Sequence, residues 1–295
     1  MSQIETFLKE YLDYLEIEKN RSRKTRENYE RYLKQFITTM KLKTIADITE
    51  GSIREFRVRL SHGHLKKITQ SYYVIAIRNF LKYLVKRGVQ VLPPERIELP
   101  KISRRDIETL EYQELERLIA APKTSTLRGL RDKAILETLF STGLRLSELC
   151  ALPRYVDLDR GEITVRGKGD KLRIVFLSDT AKNAIRAYLE RRSDTEEALF
   201  VSLNKKGEVL GRITPRSVER LVSRYARAAG VPKRVHPHQF RHSFATDLLI
   251  NGADLRSVQA LLGHANISTT QIYTHLTNKE LREVHKAFHR RRRKI

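Results

Sequence analysis

The sequence predicts a mainly α-helical protein of two domains, in which the second domain also contains a small β-hairpin. Three observations lead to this fold class. Apolar residues recur at helical spacing through the first ninety positions, the stretch 91–105 contains three prolines and no helical periodicity, and one clear pair of strands interrupts the remainder. We therefore predict a four-helix bundle over residues 1–90, a linker over 91–105, and a mostly helical domain over 106–295.

Four amphipathic segments define the predicted bundle. In each, the apolar residues fall three or four positions apart, which places them on one face of a helix. Ser22 or Thr25 is the expected N-cap of the second helix, and the third is expected to follow Thr49 or Ser52. The four apolar faces are Ile4, Phe7, Leu8, Tyr11, Leu12 and Leu15; Tyr29, Leu33, Phe36, Ile37 and Met40; Ile53, Phe56 and Leu60; and Val74, Ile77, Leu81 and Leu84.

The second domain is predicted to be helical around a single hairpin. Apolar residues alternate in Glu162–Arg166 and in Lys171–Phe176, and the four residues between them, Gly-Lys-Gly-Asp, form a strong hairpin turn signal. Further helices are expected near residues 128–141, 146–152, 179–191, 215–229, 239–250, 255–262 and 278–289.

The charge of the chain indicates a polyanionic partner. The 295 residues include 58 Lys and Arg against 35 Asp and Glu, a formal net charge of +23. The first hundred residues contain 20 basic and 12 acidic residues and the remainder 38 and 23, so both predicted domains are basic. A compact chain this basic repels itself, and nucleic acid is a partner that neutralises it. Charge alone leaves open a ribosome-associated or merely basic protein.

Several protein classes are excluded. The single cysteine, Cys150, cannot form an intramolecular disulfide and gives no basis for a zinc site. No apolar run approaches the roughly 18 residues needed to span a bilayer. Acidic residues interrupt the apolar positions near the N-terminus, which is unlike a signal peptide. We therefore expect a cytoplasmic protein without membrane insertion.

A long stretch of the first domain, between Glu55 and Glu95, contains no acidic residue. Because a solvated helix face usually mixes both signs, this stretch is expected to face nucleic acid. Its cations are Arg57, Arg59, Lys66, Lys67, Arg78, Lys82, Lys86 and Arg87. The predicted DNA-binding residues are Lys66, Lys67, Arg78 and Lys82.

Four short segments of the second domain contain residues suited to phosphate chemistry. These are Arg145 in TGLRLSEL, Lys168 in the hairpin turn, His238 and Arg241 in HPHQFRHSFAT, and His264 and Tyr273 in LLGHANISTTQIYTH. Taken singly, each residue also fits a structural role, such as an exposed arginine, a solvated turn lysine or a half-buried tyrosine. The three histidines around position 238 do not indicate a metal site, because their spacing is wrong and no carboxylate accompanies them.

Together, these residue types can break a phosphodiester without a metal ion. Two guanidinium groups can neutralise the phosphate and its transition state through directed hydrogen bonds. A tyrosine hydroxyl can attack phosphorus, and a lysine or histidine can protonate the leaving 5′-oxygen. No cofactor is expected, since the sequence has no P-loop and no carboxylate cluster suited to magnesium.

The order and spacing of these segments closely resemble the tyrosine recombinases, and within that family the Xer type. TGLRLSEL, GKGDKLRIV, PHQFRHSFAT and LLGHANISTTQIYTH match successive family motifs, and THLTNKELREVHKAFH resembles a Xer C-terminal tail. The resemblance covers essentially the whole chain, because the first domain is similar to the family's core-binding domain. It implies the DNA breaking–rejoining fold for the second domain.

The resemblance also implies chemical roles. The expected roles are nucleophile for Tyr273, phosphate binding for Arg145, Arg241 and His264, protonation of the leaving 5′-oxygen for Lys168, and assistance with proton transfer for His238. The covalent product would be a 3′-phosphotyrosine that conserves the energy of the broken bond, so neither ATP nor a metal ion would be needed.

The resemblance further implies an assembly, since the family acts as a tetramer on two double-stranded DNA sites. Leu281, Val284 and Phe288 form an apolar stripe after Tyr273. Such a stripe can pack onto its own domain, but the resemblance favours exchange of this C-terminal helix between protomers of a homo- or hetero-tetramer.

We therefore predict a site-specific recombinase that resolves chromosome or plasmid dimers, with a part in chromosome partition and cell division. Alternatives are a mobile-element integrase or topoisomerase-like enzyme with the same residues, and a DNA-binding derivative that has lost activity. The complete set of matched residues argues against the inactive derivative.

Overall fold

A computed structural model describes residues 2–100, 110–167, 172–263, 282 and 285–289. The chain divides into two compact units, Met1–Asp106 and Ile107–Ile295, each with its own core of buried apolar side chains. Helices predominate in both units, which confirms the predicted fold class. In the part of the chain that the structure describes, no helix is long and apolar enough to cross a membrane.

The first unit contains the four predicted helices. They are α1 (Gln3–Asp13), α2 (Arg23–Met40), α3 (Glu50–His62) and α4 (Lys67–Lys86). A π-helical turn over Tyr14–Glu18 extends α1. The Ser22 hydroxyl, rather than Thr25, caps α2 and accepts the Thr25 N–H at 3.3 Å, and Thr49 caps α3 in the same way.

The apolar faces of these helices meet in one core. Phe36 and Phe56 are buried there, with their ring centroids 5.0 Å apart in an edge-to-face arrangement. After α4, a short 3₁₀-helix over Pro94–Arg96 leads to Ile97, which is buried in the same core. The beginning of the predicted linker thus packs on the first unit, and the bounds 91–105 stay a prediction.

The second unit combines helices with two small antiparallel sheets. Its helices are α5 (Tyr112–Ala120), α6 (Leu127–Thr142), α7 (Leu146–Ala151), α8 (Asp179–Glu190), α9 (Pro215–Ala228), α10 (Pro237–Ile250) and α11 (Leu255–Leu262). Its strands are β1 (Glu162–Arg166), β2 (Leu172–Phe176), β3 (Val201–Leu203) and β4 (Val209–Arg212).

The predicted hairpin is present, together with one helix and one pair of strands that were not predicted from the sequence. Strands β1 and β2 pair from Glu162 opposite Phe176 to Arg166 opposite Leu172, while the turn between them lies outside the described residues. Helix α5 and the β3–β4 pair were not predicted. Strands of three and four residues are too short for alternation to be recognised. Here β3 and β4 pair with each other, and Val201 and Leu203 of β3 are buried.

Helix α6 is almost wholly buried and positions the candidate site at its end. It packs against α8 and α10. It stops at Gly143, where φ is +58° and a Cβ atom would approach Cδ1 of Phe244 to 2.6 Å. Because only glycine accepts this turn so close to α10, the chain can reverse here and present Arg145 two residues later.

Residues 285–289 pack against their own unit. Nε2 of His285 donates to the Ser141 carbonyl oxygen at 2.7 Å, and Nδ1 of His289 lies 3.2 Å from Oδ2 of Asp247. Phe288 is partly buried against the same core, whereas the other two residues of the predicted stripe lie outside the described residues. Exchange of this segment between protomers would involve other copies of the chain, so it stays a prediction.

Candidate active site

Segments that are distant in the sequence meet beside the end of α6. The Arg145 side chain, at the start of α7, donates to the Gly263 carbonyl oxygen at 3.0 Å. The Arg241 side chain, on α10, donates to the carbonyl oxygens of Gly143 at 2.6 Å and Leu262 at 2.5 Å. The fold therefore brings together the two arginines that were predicted from separate motifs.

Arg145 is held by a carboxylate one turn further along the chain. Its backbone N–H donates to Oε2 of Glu148 at 2.8 Å, and its Nη1 donates to Oε1 at 2.9 Å. A cation at a helix N-terminus is unfavourable unless an anion offsets it. Within the described residues that anion is Glu148, placed at capping-box spacing.

Arg241 is buried among other cations. Its side-chain hydrogen bonds to the described residues all go to backbone carbonyl oxygens, and it has no carboxylate partner there. Burial, followed by repulsion from Arg145 and Arg173, lowers the pKa of Arg241 to about 10. The fold thus holds a guanidinium group where its charge is unfavourable unless an anion binds.

Glu148 has a second arginine partner that was not predicted from the sequence. Nη1 and Nη2 of Arg173, on β2, donate to the two carboxylate oxygens of Glu148 at 2.8 and 2.7 Å. Burial alone raises the pKa of the Glu148 carboxyl, but the hydrogen bonds from Arg173 and from the Arg145 backbone hold the pKa at about 2. The capping-box spacing of Glu148 was visible in the sequence, whereas nothing local indicated the pair with Arg173.

These four side chains form a cluster with excess positive charge. We call Arg145, Glu148, Arg173 and Arg241 the arginine cluster. Among the described residues it contains three guanidinium groups and one carboxylate. Because the cations repel one another, an anion with several oxygens would be bound favourably and through directed hydrogen bonds. The arrangement suits a phosphate.

A glycine allows the end of α11 to approach this cluster. Gly263 has a φ of +62°, and a Cβ atom there would lie 2.7 Å from Cδ of Arg173. Glycine suits this position both for its backbone conformation and for the close passage of Arg173, which a larger residue would force to shift.

The histidines on α10 differ in exposure. His238 is exposed and lies three residues before Arg241, on the same face of the helix. His242 is half-buried, and burial together with repulsion from His238 and Arg241 lowers its pKa. This placement agrees with a proton-transfer role for His238, which stays a prediction.

Three predicted catalytic residues lie outside the described residues. They are Lys168, His264 and Tyr273. Their motifs border described elements, since strand β1 ends at Arg166 and α11 ends at Leu262. Their expected roles stay predictions.

The predicted DNA-binding residues of the first unit lie at the start of α4 and further along that helix. Lys66, Lys67 and Lys82 are exposed, whereas Arg78 is half-buried and donates to the Pro94 carbonyl oxygen at 3.1 Å. Arg78 and Lys82 follow Lys67 by about three and four helical turns, which places the three residues on one side of the helix.

Two other cations of the acid-free stretch are paired with carboxylates. Arg59 bonds to Glu55 at 2.6 Å, and Arg87 bonds to Glu18 at 2.5 Å. Their partners lie outside the stretch, so the absence of acids within it did not mean that every cation was unopposed.

Comparison with known proteins identifies the family. The chain matches the description "Phage integrase family" over residues 108–280 and "Phage integrase, N-terminal SAM-like domain" over residues 8–88. It is 35% identical to tyrosine recombinase XerC of Bacillus subtilis strain 168, over 99% of this chain and 98% of the relative. It is 39% identical to tyrosine recombinase XerD of Listeria innocua serovar 6a, over 96% and 98%.

Two solved structures of recombinases superpose on this chain. A XerH site-specific recombinase bound to its palindromic difH substrate in a post-cleavage complex superposes with a TM-score of 0.61 and 26% identity, over 94% of this chain and 82% of that one. A lambda integrase tetramer bound to a Holliday junction superposes with a TM-score of 0.70 and 19% identity, over 90% and 78%, and shows the fold alone. The chain belongs to the phage integrase family, as a site-specific tyrosine recombinase of the Xer type.

Proposed function

We propose that this protein cuts and rejoins DNA through a 3′-phosphotyrosine intermediate, and so resolves chromosome or plasmid dimers. The observation that carries the proposal is the arginine cluster, in which Arg145 and Arg241 from separate motifs meet with an excess of positive charge. A phosphodiester in transfer has the complementary charge, and it gains more as the transition state forms.

In the first step, the Tyr273 hydroxyl oxygen attacks the scissile phosphorus. A bond forms between phosphorus and the tyrosine oxygen, and the bond to the 5′-oxygen breaks. Lys168 gives the leaving 5′-oxygen its proton, and His238 assists the transfer of the tyrosine proton. The products are a 3′-phosphotyrosyl strand and a free 5′-hydroxyl.

Arg145 and Arg241 act on the phosphate oxygens throughout, together with His264. Both arginine side chains are held by fixed carbonyl oxygens, and Arg145 also by Glu148, so little reorganisation is needed when the phosphate arrives. A 5′-hydroxyl from a partner duplex then attacks the phosphotyrosine and releases Tyr273. Since the covalent intermediate conserves the bond energy, the cycle proceeds without ATP or a metal ion.

The proposed assembly is a homo- or hetero-tetramer on two double-stranded DNA sites, in the cytoplasm. The lambda integrase of similar fold forms a tetramer on a Holliday junction, and the XerH recombinase binds its difH substrate. In this chain, exposed Lys66, Lys67 and Lys82 support DNA contact by the first unit. Exchange of the C-terminal helix between protomers would place the residues around Phe288 on a neighbouring copy.

Covalent trapping tests the proposal. The DNA is a nicked duplex carrying a site selected from random sequence, incubated with EDTA and without ATP. We expect the wild type to form a covalent protein–DNA adduct and Tyr273→Phe to form none. Tyr155→Phe, which changes a tyrosine that is 86% exposed in the same unit, is the matched control and should keep the adduct.

Each other outcome has a distinct meaning. An adduct with Tyr273→Phe would show that the nucleophile is misassigned, and no adduct with the wild type would indicate an inactive derivative. An adduct that requires a divalent cation would contradict the metal-free mechanism. Relaxation of supercoiled DNA that lacks the selected site would favour a topoisomerase-like activity over dimer resolution.

A further inference from the structure

Arg173 connects three elements around the arginine cluster. From β2 it reaches Glu148 on α7 with two hydrogen bonds, and its Nε donates to the Leu261 carbonyl oxygen of α11 at 3.3 Å. Its side chain is only 11% exposed. The hairpin turn that contains Lys168 precedes this strand in the sequence, so Arg173 fixes the strand after that turn against the two helices that frame the cluster.

Arg145 and Arg173 share the same carboxylate. Oε1 of Glu148 accepts from Nη1 of Arg145 at 2.9 Å and from Nη1 of Arg173 at 2.8 Å. Oε2 accepts from the Arg145 backbone N–H at 2.8 Å and from Nη2 of Arg173 at 2.7 Å. The two oxygens therefore accept four hydrogen bonds, which is about the full capacity of a carboxylate.

This sharing limits how strongly Glu148 can hold Arg145. With Arg173 present, the negative charge is divided between two guanidinium groups. Without Arg173, Arg145 would be the one remaining cation that hydrogen-bonds Glu148 among the described residues. A one-to-one, partly buried ion pair would then offset the charge that a phosphate should meet.

We propose that Arg173 is a positioning residue for strand cleavage: it neutralises Glu148 and anchors it to β2 and α11, so that the charge and orientation of Arg145 stay available to the scissile phosphate. The proposal rests on the proposed function of the arginine cluster as the phosphate site. Arg173 acts through Glu148, and no contact between Arg173 and the phosphate is required.

The test compares Arg173→Gln with Arg173→Gln/Glu148→Gln. Cleavage of the nicked site is measured as a single-turnover rate constant at saturating protein, and non-covalent DNA affinity is measured separately. We expect Arg173→Gln to slow cleavage by about tenfold or more while the DNA dissociation constant changes by less than about threefold. The double variant should be faster than Arg173→Gln by at least about threefold, since the neutral amide that replaces the Glu148 carboxylate no longer competes for Arg145.

A purely structural role predicts the opposite order. Removing a second member of a supporting network would then leave the double variant as slow as Arg173→Gln or slower. That result would overturn the proposal, and so would a cleavage rate of Arg173→Gln equal to that of the wild type.

Arg192→Gln is the matched control. Arg192 is also a buried arginine with a bidentate bond to a carboxylate, Asp194, but it shares no residue with the cluster. The Arg192→Gln substitution should lower the melting temperature and leave the cleavage rate constant of the folded protein within about twofold of the wild type.

A conservative variant covers the case in which Arg173→Gln does not fold. Arg173→Lys keeps the cation but cannot form both bonds to Glu148, so it should cleave more slowly than the wild type and be rescued in part by Glu148→Gln. Absence of this rescue in a folded protein would overturn the proposal. Failure of the wild type to form any adduct would instead refute the proposed function, which keeps the two results distinguishable.

Discussion

Two arginines of the second unit are almost equally buried, at 7% exposed for Arg192 and 6% for Arg241, yet their surroundings are opposite. Arg192 follows α8 and forms a bidentate pair with Asp194. Although burial alone lowers the pKa of Arg192, the hydrogen bond and charge of Asp194 together with Tyr188 and Glu196 raise the pKa. Burial and two neighbouring arginines lower the pKa of Arg241 to about 10.

The difference separates a structural cation from one available to a ligand. Arg192 also donates to the carbonyl oxygens of Ala198 and Leu199, so its donors are used within the fold and its charge is balanced. Arg241 uses carbonyl oxygens for orientation, and among the described residues no carboxylate forms an ion pair with it, although the charge of Glu148 offsets part of its own. An unbalanced buried cation costs folding free energy, which a bound anion can offset.

The largest expected effect is on catalysis at Arg241. Arg241→Gln should reduce the single-turnover cleavage rate constant by roughly 10²–10³-fold, because a preorganised donor to the transition state is lost. Arg192→Gln, assayed while folded, should cleave nearly as fast as the wild type. An equal decrease of the cleavage rate constant in both variants would contradict the distinction between the two arginines.

The next effect is on stability at Arg192. Arg192→Gln leaves the half-buried Asp194 with only the longer ion pair to Arg154, at 3.9 Å, and takes the donor away from buried carbonyl oxygens, so it should lower the free energy of unfolding by about 3 kcal/mol. Arg241→Gln should cost less, because repulsion from Arg145 and Arg173 is relieved at the same time. Urea unfolding of both variants at neutral pH measures the difference, and the reverse order would contradict this account.

A smaller effect concerns the pH dependence contributed by Glu148. The pKa of its carboxyl is lowered from 4.5 to about 2, so its stabilising contribution is complete above pH 4.5 and is lost as the pH falls toward 2. At pH 7 the free energy of unfolding of Glu148→Gln should therefore be about 2 kcal/mol lower than that of the wild type. At pH 3 the difference between the two free energies should be smaller. Urea unfolding at both pH values tests this, with the exposed Glu219→Gln as control. A gap that does not narrow would mean that Glu148 is not ionised as described.

The smallest expected effect is on general DNA affinity, to which Lys66 contributes from outside the arginine cluster. Lys66→Ala should reduce the salt slope of DNA binding by about one without moving the cleavage position, since one phosphate contact is lost. Arg59→Ala is the matched control, because Arg59 is already paired with Glu55. The assay is DNA affinity as a function of salt concentration, and equal slopes for the two variants would contradict a DNA-facing role for Lys66.

Local patterns predicted most of the helices. The buried residues Ile4, Leu8, Tyr11 and Leu12 of α1 are those that the helical spacing selects, because periodicity depends only on neighbours three or four positions away. The β1–β2 hairpin was likewise predictable from alternation around a glycine-containing turn. Helix α5 shows the same spacing at Leu115, Leu118 and Ile119 and was missed, although the shorter helices α7 and α11 were predicted.

The candidate site was predictable in its residue types and only partly in its contacts. Arg145 and Arg241 were selected from their motifs, and the structure brings them together. Glu148 and Arg173 were not selected, although they hold the cluster in place. Their pairing joins a helix and a strand 25 residues apart, for which no local pattern exists.

The sequence by itself determined the periodic faces, the hairpin, the basic charge of both domains and the order of the motifs, since each depends on residue type and short-range spacing. Only the tertiary structure decided which cations are paired. Arg59 and Arg87 have acidic partners whereas Arg241 has none among the described residues, and Arg145 reaches Gly263 across 118 positions. Coulomb and hydrogen-bond energies depend on distance in space, and the folded packing of the helices sets that distance.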